Sequence, residues 1–136
     1  MSGYKKPLPV IQPHSAEFWK GTKQGKLLIQ NCDDCHSPMT YPRKFCSECW
    51  STNLGWKESS GKGTIYSFSV TYEGVEPIFH DDLPIILAWI DLPEGVRMTT
   101  NIINCEPENV KIGMNVEVVF KPVTAEVTLH YFQPTD

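Results

Sequence analysis

The spacing of four cysteines constrains this chain more than any other feature. Cys32-x2-Cys35-x10-Cys46-x2-Cys49 sets two Cys-x-x-Cys knuckles on either side of a short connection. Each knuckle brings two thiolates to the corner of a tight turn, and two corners together complete a tetrahedral site with Zn–S bonds of about 2.3 Å. The neighbours suit this: Asp33-Asp34 and Ser47-Glu48 are turn formers, and Pro42-Arg43-Lys44 leads into the second knuckle. A redox Cys-x-x-Cys normally comes singly at a helix start, and a pair of local disulfides is the other alternative. Zinc, or iron in a purified sample, is therefore the expected occupant of Cys32, Cys35, Cys46 and Cys49. Four thiolates leave no open coordination position, so the metal is expected to be structural. It would hold together a segment of about thirty residues, too small to build its own core. His36 follows Cys35 directly and is an alternative ligand, but four thiolates suffice and it reads as an exposed turn residue.

The rest of the chain is ordinary in size and composition. Its 136 residues suit one domain or two very small ones. The net charge of −4 and pI near 5.5 argue against a general nucleic-acid binder, whose footprint is strongly basic. That charge is unevenly spread: residues 1–63 hold nine Lys/Arg against five Asp/Glu, and residues 64–136 hold three against eleven, so +4 stands against −8. The change falls at Ser59-Ser60-Gly61-Lys62-Gly63, a stretch typical of a connection. The expected organisation is an arm and short helix over 1–25, a zinc ribbon over 26–60 and a barrel over 61–136. The longest apolar run, Ile85 to Ile90, is too short for a bilayer, and the first ten residues carry no apolar signal region. A cytoplasmic setting is expected.

Local patterns place the elements. Pro13-His14-Ser15-Ala16-Glu17 reads as a helix start with Ser15 as N-cap, and Gly21 and Gly25 limit the helix to two or three turns. Its Phe18 and Trp19 either pack on the ribbon or line a partner or ligand surface. Leu27 to Gln30 reads as a strand entering the first knuckle, and Leu54 to Lys57 as one leaving the second. After residue 63 the period becomes two. Tyr66, Phe68, Val70 and Tyr72 alternate with Ser67, Ser69 and Thr71 as a half-buried strand. The apolar run from Ile85 to Leu92, with Trp89, reads as a strand covered on both faces. Further strands are expected over 96–103, around Val116 to Phe120, and from Val127 to Tyr131. Five strands without a convincing long helix between them suggest a closed OB-type barrel, so the fold class is mainly β.

In this order the residues resemble a known family. The features are Phe18-Trp19, Gly25-Lys26-Leu27-Leu28-Ile29-Gln30-Asn31-Cys32, Tyr41-Pro42-Arg43, Cys46-Ser47-Glu48-Cys49 and Trp56. They continue through Ser60-Gly61-Lys62-Gly63-Thr64, Leu92-Pro93-Glu94-Gly95-Val96, Ile112-Gly113-Met114 and Phe132-Gln133-Pro134. From about Ser15 to Pro134 the chain is similar to the zinc-ribbon/OB-fold acyl-CoA-associated family, long filed as a domain of unknown function. The resemblance implies a rubredoxin-like ribbon and an accessory subunit in a hetero-oligomer with a thiolase-superfamily protein. Such partners make or break carbon–carbon bonds in acyl-CoA thioesters. They include acyltransferases (thiolases), hydroxymethylglutaryl-CoA synthase complexes and steroid side-chain aldolases. It also implies that the catalytic cysteine and histidines belong to the partner.

The sequence fits that division of labour. It carries no Gly-x-Ser-x-Gly elbow and no phosphate-binding glycine loop. Cys105, beside Glu106, reads as a passive loop thiol whose pKa the carboxylate raises. Coenzyme A presents phosphates to cations, and Lys20, Lys23, Arg43 and Lys44 are the available ones, with Arg43 preferred. The segment from Glu73 to Pro84 is the longest loop of the barrel half. Phe79 and His80 are expected there either at a partner's acyl pocket or, for Phe79, folded back on the barrel. Thiolysis in a degradative pathway is the expected chemistry of the complex, an aromatic β-ketoacyl-CoA such as benzoylsuccinyl-CoA being one candidate substrate. A single-stranded nucleic-acid binder is the alternative class, disfavoured because a barrel half at −8 repels phosphate.

Overall fold

Phe18 decides how the N-terminal segment sits. The computed structural model describes residues 4–135, and in it α1 runs from Ala16 to Lys23, two turns ended by Gly25 at φ +74°. Ser15 precedes the helix as expected, but its hydroxyl does not cap it. The oxygen turns back to Gln12, accepting from its N–H (3.0 Å) and donating to its carbonyl (3.2 Å). Phe18 is buried, edge-on to Trp19 (centroids 5.0 Å apart) and to His130 (5.2 Å). The helix lies so close to the next strand that a side chain at Gly21 would meet Leu28 at 2.8 Å.

The ribbon is a three-stranded antiparallel sheet, β1 (Leu28–Cys32), β2 (Pro38–Met39) and β3 (Leu54–Glu58), in the order β2-β1-β3. β2 is too short to show any alternation, and the sequence reading passed over it. β1 is buried from Ile29 to Cys32, since it lies between helix and knuckles.

The remaining strands are β4 (Lys62–Thr71), β5 (Ile85–Asp91), β6 (Arg97–Ile102), β7 (Asn115–Pro122) and β8 (Thr128–Pro134). They close a barrel in the order β4-β5-β6-β8-β7, β7 returning to β4 through Gly63 opposite Val116. Ile65, Ala88, Ile90, Met98, Val116 and Phe132 fill it. Closure removes most of the open edge a small sheet would otherwise present, leaving part of β6 unpaired by a strand.

Two expected patterns are corrected. Strict alternation along β4 is broken by a bulge between Ile65 and Ser67. The extra residue turns Ile65 inward and Tyr66 out, while Phe68 and Val70 pack against the core. β5 is covered on one face, not two: Ile86, Ala88 and Ile90 are buried, but Leu87 and Trp89 are 42% and 45% exposed. A continuous apolar run hides this alternation, because the outward residues are as apolar as the inward ones.

The connection between ribbon and barrel is tied down. The Glu94 carboxylate accepts from the Ser59 hydroxyl (2.8 Å) and the Ser60 N–H (3.3 Å). Thr40 donates to the Arg97 carbonyl (3.1 Å), and the Thr99 N–H donates to the Tyr41 phenol (3.0 Å). These two ribbon side chains occupy the outer edge of β6, whose pairing with β8 is confined to Ile102 opposite Phe132.

Candidate metal centre and adjoining groove

The two knuckles fold alike. His36 N–H donates to the Cys32 carbonyl (2.9 Å) and Trp50 N–H to the Cys46 carbonyl (3.0 Å). His36 and Trp50, each following a knuckle's second cysteine, take the left-handed conformation at φ 65° and 66°. Backbone amides point at sulfur: Cys35 N–H to Cys32 Sγ (3.4 Å) and Glu48 N–H to Cys46 Sγ (3.3 Å). Asp34 ties the knuckles together by accepting from the Ser51 hydroxyl and the Asn53 amide.

Four sulfurs therefore converge. All lie within 4.8 Å of one another, with Cys32 and Cys46 buried and Cys35 and Cys49 exposed. Cys32–Cys49 and Cys35–Cys46 are 3.6 and 3.5 Å apart. Tetrahedral Zn–S bonds of about 2.3 Å give edges of about 3.8 Å, so this cage fits zinc with little adjustment. The Ser37 hydroxyl favours the Cys35 thiolate and brings it down to about 6. The Ser51 amide favours that of Cys49, yet desolvation first and the neighbouring sulfurs second outweigh it and push Cys49 up to about 12. A divalent cation relieves that repulsion. His36 is exposed and stands outside the cluster.

Beside the ribbon lies an open groove of about 450 Å³, lined by His14, Glu17, Gln30, Arg43, Lys44 and Trp56 among others. Gln30, a buried strand residue, shapes it. Its amide donates to the Arg43 carbonyl (3.0 Å) and accepts from the Arg43 N–H (2.7 Å), fixing the Arg43-Lys44 backbone at the rim. Lys20 and Lys23 are exposed on α1 and do not line this groove. The sequence reading missed Gln30, since nothing in a strand residue announces a clamp on a loop thirteen positions away.

The expected contact residues are scattered. Phe18 belongs to the core and presents no surface to a partner; Trp19 is half-buried against the same core. Phe79 and His80 sit on a 3-10 helix over Pro77–Asp82, which gives the expected loop structure of its own. Phe79 is half-buried, and His80 is exposed with its Nε2 3.3 Å from the Val75 carbonyl. Cys105 lines a separate groove with Asn104 and Met114, its thiol pushed up by burial first and by Glu106 second.

A rubredoxin-like tetrathiolate ribbon leading into a five-stranded OB barrel defines a class of two-module proteins. Residues 19–55 match the ChsH2 rubredoxin-like zinc ribbon domain and residues 56–121 the ChsH2 C-terminal OB-fold domain. This chain belongs to that family, also known as DUF35. It is 36% identical over 118 residues to a DUF35 domain-containing scaffold protein of Methanothermobacter thermautotrophicus, covering 85% of this chain and 88% of that one. With a probable enoyl-CoA hydratase alpha subunit of Thermomonospora curvata it shares 32% over 129 residues, 95% of this chain but 40% of the relative's length. The benzoylsuccinyl-CoA thiolase subunit BbsA of Geobacter metallireducens is 28% identical over 92 residues, 68% of this chain and 60% of that one. Among solved structures, a chain of the Ltp2-ChsH2(DUF35) aldolase superposes with a TM-score of 0.83 at 31% identity, covering 93% of this chain and 98% of that one.

Proposed function

We propose that this chain is a non-catalytic scaffold subunit of a cytoplasmic acyl-CoA enzyme complex. In this reading it seats on a thiolase-superfamily chain that holds the catalytic cysteine and histidines. The complex cleaves a carbon–carbon bond by thiolysis, with a β-ketoacyl-CoA of the benzoylsuccinyl type as substrate, and the zinc keeps the ribbon folded without touching the reaction. The observation that carries the reading is the Gln30 clamp, which holds the Arg43 backbone at a groove of about 450 Å³ lined by Arg43 and Lys44. Guanidinium and ammonium groups so placed suit the phosphates of coenzyme A. Likeness to BbsA supports a thiolase partner.

The double variant Arg43→Ala, Lys44→Ala is expected to weaken acyl-CoA binding by the assembled complex about tenfold or more, by titration calorimetry. Unchanged affinity removes the groove from the proposal. A second reading, an aldolase partner, is favoured by the near-complete superposition on the Ltp2-ChsH2 chain. Product analysis distinguishes the two, because thiolysis consumes free coenzyme A and retro-aldol cleavage does not.

A further inference from the structure

Three of the exposed apolar side chains of the barrel, Tyr66, Leu87 and Trp89, lie on one face. Trp89 of β5 lies opposite Ser67 of β4 and Thr99 of β6, with Leu87 two residues along between Ser69 and Asn101. Tyr66, turned outward by the bulge, carries the Arg97 guanidinium 3.4 Å above its ring. From the ribbon, Tyr41 reaches the same sheet, donating its phenol proton to the Thr99 hydroxyl at 3.1 Å. Tyr41, Tyr66, Leu87 and Trp89 are each between 42% and 51% exposed. Polar residues separate them, so the patch is a largely aromatic platform spanning the ribbon–barrel seam. Strands of this face are where OB barrels commonly engage ligands.

We propose that this platform is the surface on which the partner enzyme chain seats. The inference rests on the scaffold reading above and gives it a location, different from the helix and the 73–84 segment that the sequence suggested. Tyr, Trp and Arg are the residues that anchor protein interfaces. Charge selects the occupant. Arg97 is already neutralised by Asp91 at 2.6 Å, and residues 64–136 carry −8. A phosphate backbone or an anionic bilayer is repelled by that balance, whereas a protein face with an apolar centre and a basic rim complements it.

Binding of the purified chain to a purified thiolase-superfamily enzyme chain from the same organism tests this. Trp89→Ser is expected to raise the Kd about 30-fold or more, and Leu87→Asp to weaken binding in the same direction. Trp50→Ser, on a still more exposed aromatic of the second knuckle, is expected to leave it within about twofold. Each variant is first checked for bound zinc and an unshifted thermal transition; if Trp89→Ser fails there, Leu87→Asp decides. Wild-type binding that both face variants retain overturns this inference and leaves the scaffold reading standing. Dimerisation of the isolated chain that Trp89→Ser abolishes gives the face to a second copy and overturns it too. Failure of the wild type to bind the enzyme chain defeats the scaffold reading itself, and this occupant with it.

Discussion

Gly63 shows how tightly the barrel closes. A Cβ there would stand 2.6 Å from the Asp91 carbonyl oxygen and 2.6 Å from the Ile90 side chain, where β4 passes between β5 and β7. The oxygen belongs to backbone held in the sheet, so the clash cannot be relieved by a rotamer change. Gly63→Ala is expected to cost about 1–3 kcal/mol, read as a lowered denaturant midpoint at unchanged slope; a variant as stable as wild type contradicts the close approach. His130 is the second residue with a measurable signature. Enclosed by Phe18 and Trp19, with no hydrogen-bond partner for Nδ1 among the described residues, it is pushed by burial from 6.5 down to about 4. Between those values the unfolded chain takes up a proton that the folded one refuses. Stability is therefore full above about pH 6.5 and falls as pH drops towards 4, by up to about 3 kcal/mol. Unfolding of wild type against His130→Leu across that range reads the difference directly, and parallel curves would show that burial there exerts no such effect.

At the scale of elements, what could be read in advance tracks how local the determining physics is. The metal cage was legible because ligand type and spacing dictate it: both knuckles repeat one turn, down to the left-handed residue after the second cysteine. Five barrel strands were legible from their length and period. The errors lie where a tertiary contact overrides the local pattern. Ser15 has the residue type of a cap, yet Gln12 captures its hydroxyl. The β4 bulge turns Tyr66 outward while Phe68 stays inward, and no periodicity announces a bulge before the partner strand is known. Leu87 and Trp89 read as core in the sequence because an apolar run carries no sign of which residues water touches. The groove was half legible. Arg43 is the preferred cation on the sequence, but nothing there separates Lys44 from Lys20 and Lys23 as a groove residue or shows that Gln30 holds the Arg43 backbone.

For the whole molecule the consequential fact is that the ribbon protects the barrel. β6 pairs with β8 only at Ile102, and the exposed part of its edge is occupied by Thr40 and Tyr41, which follow directly on β2 of the ribbon sheet. Their reach depends on the ribbon holding its shape, and a ribbon of this size has too little core to do so without metal. Removing zinc should therefore act at a distance. The amide of Thr99 would lose its phenol acceptor, and the free N–H and C=O groups of β6 would offer a template for pairing with another chain. Treatment of the isolated protein with a zinc chelator is expected to release one zinc per chain, to speed hydrogen exchange at Thr99, and to start concentration-dependent light scattering while the barrel strands still protect their own amides. Tyr41→Phe separates edge from metal: it deletes the phenol that meets Thr99 but leaves the four thiolates alone, so it should speed exchange at Thr99 with zinc still bound. A chelated protein that stays monomeric with Thr99 still protected would mean that the barrel guards its edge unaided, and that the zinc serves the ribbon alone.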